Sequence, residues 1–205
     1  MTHKKSGSEP TKCPVRPQVK IKTMDQLKAW LAARDIDASQ WGRGAAKTIE
    51  GLWEEIANGE ISIHDDPPLR VVPVACVIIR KGDDILIESE QEFEDKRIRR
   101  RNQPPSEKMK ENEHYTDAAV RCLQEELGLQ PSNFEIIPST YHQVEKEQDS
   151  PSYPGLHTRY TFHIVEAKVK GLPDTDFWTD ESADNPNDLV RRHYWVWRTQ
   201  PDEAS

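Results

Sequence analysis

The sequence predicts an α/β domain, built on a mixed sheet and preceded by a short helical segment. Three observations carry this reading. Strand-like runs come first in the main domain, then one helix, then strands again, an order that gives a mixed sheet rather than a doubly wound one. The apolar pattern changes from helical to strand period at "HDDPPLR" (residues 64–70). No internal repeat competes with a single domain. The expected division is a tail over 1–20, a helical segment over 21–66 and the sheet domain over 67–205.

Residues 1–20 are polar and Pro-containing, which fits a disordered tail, and they lack the apolar run of a secretory signal. "TMDQLKAWLAARD" predicts a first helix, with Thr23 and Gln26 spaced as a capping box and Leu27, Trp30 and Leu31 on one face. A second helix follows, with Ile49, Leu52, Trp53 and Ile56 as its stripe and Gly59 as its left-handed stop. With Trp30, Trp41 and Trp53, this segment carries too much apolar surface to leave in water. Docking on the sheet domain or on a second copy satisfies it, as would a separate protein partner.

"RVVPVACVIIR" is apolar on both faces and reads as a central strand. "KGDD" marks a hairpin into "ILIESEQEF", and a turn at Glu94 and Asp95 leads into the basic strand "EDKRIRRR". "NQPPSEKMKENE" reads as loop and "HYTDAAVRCLQEELGL" as helix. Further strands are expected around "EIIPSTYHQV", "RYTFHIVEAKV" and "HYWVWR", separated by long loops near 146–157 and 171–190.

The chain carries 28 Lys and Arg against 36 Asp and Glu, a net charge of −8. That disfavours general binding of nucleic acid or anionic membrane. The longest apolar run, residues 71–79, is too short to span a bilayer. Cys13, Cys76 and Cys122 are unpaired in number and widely spaced, which suits a reducing intracellular compartment. The cytoplasm is the first expectation, with an organelle or the nucleus left open.

The chemistry concentrates in the helix from His114 to Leu127. Spacings of three and four place Cys122, Glu125 and Glu126 on one face, and Glu113 approaches from the preceding loop. Clustered carboxylates repel and favour a hard dication, Mg²⁺ or Mn²⁺. An adjacent Glu pair alone is more often a solvated helix face. The longer register adds weight. Residues 107–129, "EKMKENEHYTDAAVRCLQEELGL", resemble the Nudix box, Gly-x5-Glu-x7-Arg-Glu-U-x-Glu-Glu-x-Gly-U with U aliphatic. Glu113, Arg121, Leu123, Glu125, Glu126, Gly128 and Leu129 fall in place, whereas Glu107 replaces the first glycine and Cys122 a glutamate.

The resemblance covers roughly residues 70–198 and implies a Nudix-like α/β/α sandwich, with the N-terminal helices as an extension. It implies hydrolysis of a diphosphate linkage in a phosphate-containing small molecule, such as a nucleoside diphosphate joined to another moiety. Metal ions would bridge phosphate oxygens and activate water. Glu125 and Glu126 then hold metal and carry catalysis; Glu113 and Arg121 match the positions that brace the unit, with Glu113 also expected at the metal and Arg121 among the catalytic residues. A neutral thiol at Cys122 is a poor partner for Mg²⁺ and reads best as a small hydrophobe. Glu107 implies either an altered loop or a substitute carboxylate. Two functions follow: a divergent hydrolase, or a catalytically impaired Nudix-fold module that binds a ligand or a protein.

Three further residues are substrate-binding candidates. Within "KRIRRR" (96–101), Arg97, Arg99 and Arg101 share one face, from which Arg99 and Arg101 can grip phosphate. The alternative is pairing with Glu88, Glu90 and Glu92. Tyr153, beside the Pro154–Gly155 turn, can stack on a base or sugar or simply pack its loop.

Overall fold

The computed structural model describes residues 17–44, 46–181 and 190–199; Cys13 and most of the expected tail lie outside them. The elements run β1 (Gln18–Val19), α1 (Met24–Ala32), α2 (Ile49–Ala57), β2 (Ser62–His64), β3 (Leu69–Lys81), β4 (Asp84–Phe93), β5 (Ile98–Gln103), β6 (Ser106–Lys108), α3 (Tyr115–Glu125), β7 (Phe134–Asp149), β8 (His157–Val169), β9 (Phe177–Asp180) and β10 (Val190–Thr199).

The apolar run of β3 is the hinge of the sheet. It pairs in parallel with β8 from Arg70↔Thr158 to Ile79↔Ala167, and antiparallel with β2, β6 and β4. β10 joins β4 and carries β9, β5 lies on the other edge of β4, and β7 extends the sheet beyond β8. One parallel pairing among antiparallel ones makes the sheet mixed, as expected.

Strand alternation sorts its two faces. Val77 and Ile79 of β3, with Val165 and Ala167 of β8, pack against Ala119, Cys122 and Leu123 of α3. Val72, Val74 and Cys76, with Tyr160, Phe162 and Ile164, pack against Leu27, Trp30 and Leu31 of α1 and Leu52 of α2. The N-terminal helices thus form the second α layer of the sandwich. Their apolar stripe is covered by the chain's own sheet. Thr23 caps α1 by accepting from the Gln26 N–H at 3.2 Å, and Gly59 ends α2 at φ +70°.

The expected break at 64–70 is a turn between β2 and β3, which pair through Ser62↔Val71. The helical segment is therefore stitched to the sheet by β1 and β2. The ends of the expected loop at 146–157 belong instead to the β7–β8 hairpin, which continues to Asp149↔His157 and leaves 150–156 as loop. β7 residues 141–147 are exposed on both faces, so the sequence there shows no strand alternation. The expected loops at 102–113 and 171–190 each contribute a short strand, β6 and β9. No helix among the described residues is long and apolar enough to cross a membrane.

Candidate functional site

The strand β6, the loop 109–113 after it and α3 meet at Arg121. Its guanidinium donates to both oxygens of Glu113, at 3.2 and 3.1 Å, and to the Lys108 carbonyl at 2.8 Å. It also pairs with Glu107 at 3.0 Å and with Glu125, one turn on, at 3.5 Å. One cation therefore holds three carboxylates. Burial opposes ionisation of Glu113, but Arg121 and the Lys110 N–H keep its carboxyl below the usual range. Burial pushes Glu125 and Glu107 up despite the same Arg121. The Glu107 side chain that replaces the box glycine thus lies on β6 as a third partner of the brace.

Glu126 turns the other way. It is the C-cap of α3, and Gly128 follows in the left-handed conformation at φ +64°. Its carboxyl is buried, and the Cys122 thiol donates to it at 3.7 Å. Burial and the nearby Glu88 charge push Glu126 well above the carboxylate range. Burial first, then Glu126, pushes Cys122 up as well. Cys122 is fully buried in the α3 core, the place of a small hydrophobe.

Two cations that the box does not contain enter this acid region. Arg101 of β5 pairs with Glu88 of β4 at 2.9 Å. His193 of β10 bonds Glu88 at 2.5 Å through Nδ1 and Glu181 at 2.9 Å through Nε2. Burial alone would lower the His193 value, but its bonds to Glu181 and Glu88 lift it to about 10. It is therefore an imidazolium at neutral pH. Burial opposes the Glu88 charge too, yet His193 and Arg101 keep its carboxyl low.

Among the described residues, no three His, Cys, Asp or Glu side chains are grouped so as to hold a metal ion. Glu113 and Glu125 face Arg121, whereas Glu126 faces Cys122. The donor set does not fit a dication held by three protein carboxylates.

The remaining candidates separate cleanly. Arg99 and Arg101 share the inner face of β5. Arg101 reaches the acids, whereas Arg99 donates to Gln91 at 2.9 Å. Tyr153 has no exposure; its ring lies 5.1 Å from that of Trp41, with the Arg70 guanidinium 5.1 Å away over it. It packs the N-terminal layer onto the sheet, so it offers no open stacking face. Sequence reasoning placed Glu88 beside the basic strand but missed His193 and Glu181. A signal for His193 existed: two residues before the core Trp195, it takes the same inward side of β10, and both are buried.

A family model described as NUDIX domain matches residues 69–199. The chain belongs to the Nudix superfamily. Among solved structures it is similar to a C. elegans Ap4A hydrolase, at 18% identity over 62% of this chain and 79% of that one, with a TM-score of 0.35. A binary complex of the C. elegans Ap4A hydrolase matches at 14% identity over 61% and 77%, with a TM-score of 0.33. A NUDIX hydrolase from Nitrosomonas europaea matches at 15% over 60% and 70%, with a TM-score of 0.37. No curated protein matches the chain.

Proposed function

We propose that this chain binds a phosphate-containing small molecule at its Nudix box, and that its hydrolysis of a diphosphate linkage is impaired. The observation that supports this is that the acid centre is already engaged by the chain's own cations. Arg121 holds Glu107, Glu113 and Glu125, Arg101 and His193 hold Glu88, and a buried thiol stands at position 122 where the box has a carboxylate. The ligand class comes from family membership.

One observation favours a second reading, a working hydrolase that uses Mg²⁺ or Mn²⁺ on Glu125 and Glu126. Burial raises the carboxyls of Glu125 and Glu126, and a dication would supply countercharge that Arg121, shared among three acids, gives Glu125 only in part and Glu126 not at all.

One panel separates the two. Wild type, Cys122→Glu and Glu126→Gln are assayed with Mn²⁺ against nucleotide sugars, dinucleoside polyphosphates and inositol phosphates, with binding followed by calorimetry. The proposal expects wild type to bind at least one compound with little turnover, and Cys122→Glu to gain turnover. Positioned acid–base groups contribute about 10²–10⁴-fold, which sets the scale of the gain. Wild-type turnover abolished in Glu126→Gln would establish the hydrolase instead. No binding to any compound would remove the ligand class.

A further inference from the structure

The N-terminal layer touches the box loop at two points. Lys108, next to Glu107, extends its ammonium to Glu55 of α2 at 2.9 Å and to Glu60, just beyond α2, at 2.7 Å. Its own carbonyl accepts from Arg121 at 2.8 Å, so the residue that α2 grips also holds the brace of the box. The second point is Gly59. A Cβ there would lie 3.0 Å from Glu111 Cβ and 3.3 Å from the Glu111 backbone nitrogen, so the end of α2 and the loop are in close approach. Glu55 is nearly buried and also takes Arg70 and Lys47 as partners. Burial opposes its charge, yet Arg70, Lys108 and Lys47 hold the carboxyl far below the usual range. This anchor is an anion at any working pH.

We infer that the end of α2 positions the box loop, with Glu60 and Glu55 acting through Lys108 on Arg121 and its three carboxylates. The helical extension is then a working part of the site and not a separate module. The inference deepens the binding-site reading above, since the loop it positions is the one assigned to the ligand.

The test uses the full chain without ligand, so turnover or its absence does not bear on it. Glu60→Gln, Lys108→Gln and the double variant are followed by amide exchange and by the NMR resonance of the Arg121 Nε–H. The reporter is the Glu113 amide, which donates to the Lys110 carbonyl at 3.0 Å; the control is the Leu27 amide of α1, bonded to Thr23 at 3.1 Å. Each single change should speed Glu113 exchange roughly two- to fivefold, the scale of a partly exposed ion pair, and shift the Arg121 resonance. The double variant should exceed Lys108→Gln by nothing further, and Leu27 should not change. Equal acceleration at Leu27, or an unmoved Glu113 amide and Arg121 resonance, would overturn the inference. Should Lys108→Gln fail to fold, Glu60→Gln still decides, because Glu60 is a partly exposed partner and spares the Glu55 cluster.

Discussion

Substituting His193 with Gln tests whether the acid centre carries its own cation. The ring bridges Glu88 and Glu181 and is almost fully buried, so its loss leaves Arg101 as the cation paired with Glu88. Removing one member of a buried ion pair costs about 3–5 kcal/mol, because the remaining charge stays desolvated. The pH dependence is sharper than the size. His193 titrates near 10 in the fold against an ordinary 6.5, so the folded state holds the proton more tightly. Its contribution is complete below about 6.5 and fades as pH climbs toward 10, at up to roughly 1.4 kcal/mol per pH unit. Glu88 behaves oppositely, losing its contribution only as pH falls through the acid range, so above pH 6 the difference between wild type and variant reports His193 together with the raised Glu126 carboxyl beside it. Glu126, Glu181 and Glu88 face the side chain at position 193 in both proteins, and Arg101 pairs with Glu88 beside it. Urea unfolding of wild type and His193→Gln at pH 6.5 and 9 should therefore show a stability gap that narrows by about 3 kcal/mol. A gap constant across that window would mean a neutral ring and would refute the internal-cation argument.

Two other outcomes follow from the same geometry. Leu52→Ala, at a position with no exposure in the layer that covers β3, should cost about 2–5 kcal/mol and lower one cooperative urea transition. A separate early transition would mean the N-terminal helices fold apart from the sheet. Chelation with EDTA should leave the wild-type melting temperature unchanged, while a fall comparable to 2–3 kcal/mol would reveal a resident ion of appreciable occupancy.

The sandwich was legible because its signals are local. The double-faced apolar run of β3, the helical stripe of α3 and the capping residues of α1 all state their partners in their spacing. The far end of β7, residues 145–149, was not legible: in an edge hairpin arm with both faces open to solvent, it has no reason to alternate. β1, β2, β6 and β9 are two to four residues long and exist only through pairing, which spacing does not encode. In the site, Glu113 with Arg121 could be read from register alone. The partners of Glu88 could not, since His193 is 105 residues away in the chain and Arg101 reaches it only because β5 folds back on β4.

Those long-range cations decide what Cys122 means. A thiol in place of a carboxylate, set in an otherwise ordinary acid cluster, would still leave anions seeking a dication. Here Glu88 already has two cationic partners, and Arg121 gathers Glu107, Glu113 and Glu125. Adding a carboxylate at 122 would force a further charge into a site with no exposure, beside Glu126 at hydrogen-bonding distance. Overpacking alone costs about 1–3 kcal/mol, and an unpaired buried charge adds to it. Cys122→Glu should therefore be less stable than wild type in EDTA and recover part of that loss in Mn²⁺, whereas wild type should respond little to either. The opposite pattern, in which Mn²⁺ stabilises wild type and leaves the variant unmoved, would place the ion on Glu125 and Glu126 without help from position 122.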